Sequence, residues 1–115
     1  MITIHGIKNC DTMKKARAWL DSHAIPHAFH DYKTQGIDGP SLRAWCAEHG
    51  WPKLLNTAGT TFRKLPEADR ADLTEARAIA LMLAQPSMIK RPVLDLGARR
   101  IIGFSPESYA GATAA

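Results

Sequence analysis

The sequence predicts an α/β fold on a mixed four-stranded sheet, and three observations carry that expectation. Two short stretches of alternating polarity, 1–5 and 27–32, flank a segment with helical periodicity. The middle of the chain, from about 41 to 83, shows helical patterning broken by turn residues. Residues 93–103 then read as a β-hairpin, with a short helix after it. The chain has 115 residues, 45% of them hydrophobic and 23% charged. That is enough apolar material for one core, and a single domain over 1–115 is expected.

Each element has a local reason. Residues 1–5, Met-Ile-Thr-Ile-His, alternate as a strand does. Asp11 or Thr12 suits the N-cap of the next helix, with Asn9 competing. Met13, Ala16, Leu20 and Ala24 recur there at near-helical spacing, while Lys14, Lys15, Arg17 and Asp21 fall on other faces. Pro26 ends it. Residues 27–32 alternate again, and strand–helix–strand makes a βαβ unit. Asp38 is placed to cap a helix over 41–49, with Leu42, Trp45 and Cys46 on its inner face. Gly50 and Pro52 stop that helix. Leu54 and Leu55 are expected inside, and 57–61 is expected as a loop, so that Arg63 follows a flexible stretch. A further helix over 73–83 should turn Ala76, Ile79, Ala80 and Leu83 inward and close at Pro86. The hairpin turns at Gly97-Ala98, and Ser105 or Pro106 opens the last helix. Residues 110–115 have little to bury and are expected to fray.

The order βαβ, helices, ββα is that of a thioredoxin-type fold with a helical insertion. Two cysteines, at 10 and 46, are too few for a disulfide scaffold, and no Cys/His set has zinc-finger spacing. The five histidines form no ligand motif, so no metal is expected. No stretch approaches the ~20 apolar residues of a membrane span, and the N-terminus lacks a signal-peptide layout. A cytoplasmic location without membrane partners is therefore expected. The net charge of +4 is scattered, with no basic run interleaved with aromatics. Nucleic acid is not expected as the main partner.

The chemistry concentrates at Cys10, between a strand and a helix. A helix N-terminus offers a positive dipole end and free N–H groups, which favour thiolate over thiol. The competing reading is a small, inert turn residue. Met13 occupies the place where a C-x-x-C protein carries its second cysteine. Pro92 is either a strand start at an edge or the proline of a cis bond, and Arg91 beside it is either solvated or an anion holder. Cys46 reads as a buried structural thiol. To resolve Cys10 it would need a Cα separation within about 7 Å. His5 is near enough in sequence to be a base, but reads more simply as a strand-end histidine.

Cys10, Phe62-Arg63-Lys64, Ile89-Lys-Arg-Pro-Val93 and Gly103-Phe-Ser-Pro-Glu107 occur in a telling order. On these residues the chain resembles the arsenate reductase-like (ArsC/Spx) family, in particular its YffB-type branch, over about 1–109. The resemblance implies a thioredoxin-like fold with Cys10 as nucleophile. It implies Arg63 and Arg91 as oxyanion ligands, Pro92 as the cis-proline, and Asn9 as a residue that orients the thiolate. Two departures matter. The family's arsenate reductases carry a third arginine at or beside the position of Gly103, and none stands there. Losing such a charge-assisted contact costs roughly 1.5–3 kcal/mol. The Spx branch commonly carries C-x-x-C, absent here because of Met13. The expectation is a glutathione-dependent thiol–disulfide oxidoreductase. It would have no tightly bound cofactor, glutathione as cosubstrate, glutaredoxin as a possible partner, and a small-molecule or protein disulfide as substrate. The alternatives are arsenate reduction proper, and an Spx-like regulator that binds RNA polymerase.

Overall fold

The computed structural model describes residues 2–113. In chain order the elements are β1 (Ile2–Gly6), α1 (Asp11–Ser22), β2 (His27–Asp31), α2 (Tyr32–Gln35), α3 (Gly39–His49), α4 (Trp51–Leu54), α5 (Thr60–Arg63), α6 (Glu67–Arg70), α7 (Glu75–Ala84), β3 (Val93–Asp95), β4 (Arg100–Ile102) and α8 (Pro106–Thr113). A 3-10 turn at Pro86–Met88 follows α7. The chain divides into two compact units, 1–32 with 91–115, and 33–90.

The first unit holds the sheet, in the order β2-β1-β3-β4. β1 and β2 are parallel, with Ile4 opposite Phe29 and His5 opposite His30. β3 runs antiparallel to β1, with His5 opposite Val93, and β4 runs antiparallel to β3. The sheet is thus mixed, as the βαβ-then-hairpin pattern requires. Ile4, Met13, Ala16, Leu20, Leu94 and Tyr109 form the core of this unit, all fully buried. Met13, Ala16 and Leu20 come from one face of α1. Ala24, expected on that face, lies past the helix end, exposed and at φ 53. The chain turns there, and Ile25 packs against the core instead. Gly97 takes the positive φ of the hairpin turn, and its N–H donates to Asp95 Oδ1 at 2.8 Å. The last helix outruns expectation: residues 110–113 are helical rather than frayed, and the Thr113 hydroxyl donates to the Tyr109 carbonyl. The rest of the expected frayed end, Ala114 and Ala115, lies outside the described residues, as does Met1 of the first strand.

The second unit is helical. Asp38 caps α3 as expected, accepting from the Ser41 N–H at 2.6 Å. Leu42, Trp45 and Cys46 are buried on its inner face. Gly50 ends α3 at φ 86, but Pro52 does not act as a stop: it sits in the first turn of α4. A proline there removes only an N–H that has no helical partner. The expected loop at 57–61 is half helical, since Thr60 and Thr61 begin α5, and Arg63 closes that helix rather than following a flexible stretch. The inner face of α7 is Ala78, Ile79 and Met82. Ala76 and Ala80 point outward, and Leu83 is 40% exposed. An alanine-rich helix gives weak phase information, and the Thr74 cap, accepting from Arg77 N–H, fixes the actual phase. Leu54 and Leu55 are buried. The chain after them is held by Asn56 N–H to Met88 O and by Lys90 N–H to Leu54 O.

Candidate functional site

Cys10 is itself the N-cap of α1, at φ −112 and ψ 129. The sequence favoured Asp11 or Thr12 for that position, but the helix begins one residue earlier, with Asp11 in its first turn. The consequence is chemical. An N-cap side chain faces the free N–H groups of the first turn. Here these belong to Thr12 and Met13. The sulfur lies too loosely for a strict capping bond, yet both N–H groups act on the thiol. Burial pushes the Cys10 thiol up. The Met13 and Thr12 N–H groups, then the charge and hydrogen bond of Arg91, more than offset it, and the thiol lies below its ordinary range.

Arg91 reaches this position because only Pro92 separates it from β3, whose Val93 pairs with His5 of β1. The Arg91–Pro92 bond is cis. Gly103, just after β4, takes φ 82, and its N–H donates to the Pro92 carbonyl at 2.8 Å. Arg100, one of two arginines earlier in the hairpin, faces Asp95 across the β3–β4 pair at 3.4 Å.

Met13 is fully buried and packs over Gly6. A Cβ added at Gly6 would overlap the Met13 sulfur. The side chain in the C-x-x-C partner position is therefore core, which explains a long apolar residue there. His5 is buried between β2 and β3, its ring 4.8 Å from that of His30 and 6.1 Å from that of Tyr32. Burial, and then the neighbouring His30, lower its pKa to about 4, so it is neutral at pH 7. Cys46, in the other unit, is buried, and its thiol is pushed up by burial and then by Glu75.

Of the residues expected at the site, Cys10 and Arg91 are brought together and Pro92 adjoins them in sequence. Asn9 stands exposed in the turn before Cys10 and is not among the groups that act on the thiol, which are Met13, Thr12 and Arg91. Arg63 is exposed at the end of α5 in the helical unit. Sequence reasoning passed over Tyr32, which was assigned to the end of β2. It begins α2, and it is buried. Among the described residues no group of three or more His, Cys, Asp or Glu could hold a metal ion. No helix among them is long and apolar enough to cross a membrane.

The pattern of the ArsC family matches residues 5–112. The chain belongs to the ArsC family. Its fold is thioredoxin-like, and its structure is similar to that of the YFFB (PA3664) protein, at 66% identity over 99% of this chain and 100% of that one, with a TM-score of 0.97. It is also similar to an arsenate reductase (ArsC) related protein from Brucella melitensis, at 55% identity over 96% and 92% of the two chains, with a TM-score of 0.78. An uncharacterized protein of Haemophilus influenzae is 40% identical over 99% of this chain and 100% of its own. The global transcriptional regulator Spx 1 of Lactococcus lactis is 30% identical over 93% and 84%.

Proposed function

We propose that this ArsC-family chain is a cytoplasmic thiol–disulfide oxidoreductase in which Cys10 is the nucleophile and glutathione the resolving thiol. The observation that carries the reading is the Cys10 thiol, lowered by two helix N–H groups and by Arg91, with a buried Met13 in place of a second cysteine. Cys10 first loses its proton to solvent. The thiolate attacks one sulfur of a substrate disulfide, a mixed disulfide forms, and the leaving thiolate takes up a proton. A glutathione thiolate then attacks Cys10 Sγ and releases the second half of the substrate as a thiol, leaving Cys10 joined to glutathione; a second glutathione thiolate attacks the sulfur of that bound glutathione and releases Cys10 as thiolate with glutathione disulfide. In sum, one disulfide is reduced and two glutathiones are oxidised to one glutathione disulfide. Arg91 holds the anionic part of the substrate. Pro92 shapes the backbone facing Cys10, and Asn9 lies beside it. Glutaredoxin is a candidate partner for the resolving step.

The test has two parts. Alkylation of Cys10 against pH should give a midpoint below the ordinary thiol range of ~8.5; a midpoint at or above it removes the activated nucleophile. Glutathione-dependent reduction of a small disulfide should fall to background in Cys10→Ser; equal rates in the two proteins sink the oxidoreductase reading. Resemblance to Spx 1 supports a second reading, a regulator that acts by binding another protein. It predicts no glutathione-dependent turnover and retention of RNA polymerase from cell extract.

A further inference from the structure

The β3–β4 ladder runs from the hairpin turn toward the site. At the turn, the Leu96 N–H donates to the Arg99 carbonyl at 2.9 Å. Asp95 then pairs with Arg100, Leu94 with Ile101 and Val93 with Ile102. In an antiparallel ladder, pairs that exchange hydrogen bonds alternate with pairs that do not. Starting from Leu96 and Arg99, the exchanging pairs are Leu94 with Ile101 and then Pro92 with Gly103. That last rung lies one residue past the named ends of both strands. Proline has no N–H, so the rung keeps one of its two bonds, from the Gly103 N–H to the Pro92 carbonyl at 2.8 Å. Pro92 is buried, and a buried carbonyl needs a partner. Arg91 comes next, half-buried and outside the strand. The last rung of this ladder before Arg91 thus depends on a single donor, and it belongs to Gly103.

Gly103 supplies that donor at φ 82. Crowding is not the reason for a glycine here. A Cβ added at Gly103 would meet nothing within 4 Å, whereas one at Gly6 would overlap the Met13 sulfur. The demand is conformational: at positive φ the residue keeps its N–H in the ladder while the chain turns out of the sheet. It turns toward Phe104, whose ring lies edge-on to Tyr109 at 4.8 Å, and then into α8. That turn is one reason for the glycine. The other is where its donor lies. β1 leaves the sheet at Gly6 on the way to Cys10, and β3 enters beside it, with Val93 opposite His5. Cys10, Arg91 and the Pro92–Gly103 rung therefore share one end of the sheet.

We infer that Gly103 is a positioning residue for the site: its N–H, through the Pro92 carbonyl, holds the Arg91–Pro92 segment where the guanidinium meets the Cys10 sulfur. The inference rests on the proposed role of Arg91 beside Cys10. Gly103 acts through Arg91 and not on the substrate. A long side chain keeps one productive geometry at less cost when the backbone beneath it is fixed.

Gly103→Pro breaks the tie outright. It removes the N–H and sets φ at about −65°, and Ile102 before it is already extended in β4, as a residue before proline should be. Gly103→Asn is the conservative partner, since Asn keeps the N–H and tolerates positive φ at some cost in stability. Alkylation of Cys10 by iodoacetamide, followed by peptide mapping at a pH below the wild-type midpoint, should slow about three- to fourfold in Gly103→Pro. A hydrogen bond to a charged group, at the low end of its range, is worth about tenfold in thiolate, and the more basic thiolate that remains is the better nucleophile. Gly103→Asn should keep the wild-type pH profile. In an Arg91→Ala background, Gly103→Pro should slow the reaction no further, because the group it positions is gone. An unmoved profile in Gly103→Pro, an equal fall with and without Arg91, or a shift in Gly103→Asn as large as in Gly103→Pro overturns the inference. A glycine needed only for the turn would lower the urea midpoint and leave the pH profile alone. Should Gly103→Pro not fold, wild type decides: the Gly103 amide should exchange its hydrogen as slowly as that of Leu96, and exchange at the rate of an open amide overturns the inference. Failure of the underlying reading is read separately, as an Arg91→Ala profile that does not move at all.

Discussion

The two cysteines of this chain, Cys10 half-buried and Cys46 buried, differ in more than depth. Cys10 stands at the start of α1 with its thiol lowered; Cys46 stands in the middle of α3 with its thiol raised. Burial pushes both upward. What differs is the opposition to burial. At Cys10 it is two unpaired N–H groups and a guanidinium. At Cys46 there is none, and Glu75 adds to the rise. A cysteine's reactivity is thus decided by what surrounds the sulfur, and its depth says little.

The largest expected effect breaks the comparison at its centre. At pH 7 Cys10 should alkylate well ahead of Cys46, and Cys46→Ser should retain glutathione-dependent turnover while Cys10→Ser loses it. Peptide mapping after brief alkylation and a turnover assay check both halves. Arg91→Ala should move the Cys10 midpoint upward without making the site resemble that of Cys46, because the Thr12 and Met13 N–H groups remain. The alkylation pH profile reads this directly, and an unmoved midpoint would show that the helix end acts alone.

His5 sharpens the contrast by stability. Its folded pKa of about 4 lies below the ~6.5 of an unfolded histidine. The unfolded chain binds more protons in that window, so the contribution is complete above pH ~6.5 and is lost as the pH falls toward ~4. The loss should reach about 3 kcal/mol. Urea unfolding at several pH values should show a shallower dependence in His5→Phe, and identical slopes would contradict the buried, neutral histidine. Met13→Cys recreates a C-x-x-C spacing but should cost about 2 kcal/mol in thermal unfolding, because it empties core volume above Gly6. The new thiol should alkylate slowly, as Cys46 does. Smallest is Asp38→Ala, which removes the cap of α3 and should cost about 1 kcal/mol. It should leave Cys46 as inert as before, since no helix end acts on that sulfur.

The sheet-bearing unit was the more legible part. Alternation at β1 and β2, and Gly97 in the hairpin, are short-range signals that survive in one sequence. The helical unit was read less well. α4, α5 and α6 span four residues each, too few for a period to show. The face of α7 was misphased because Ala76, Ala78 and Ala80 are alike in hydropathy. At the site, Cys10 was legible from its place between strand and helix. Its link to Arg91 spans eighty residues of sequence and came only from family resemblance.

Gly103 bears on how this chain can change over time. The family resemblance puts an arginine of the arsenate reductases at or beside this place, where Gly103 here holds the backbone in the left-handed region, at φ 82. Any side chain introduced there meets a conformational penalty of roughly 1–2 kcal/mol before it makes a single contact. An arginine placed there alone would therefore be opposed by the backbone before its charge could act. A charge at this end of β4 is compatible with the turn only where φ is negative.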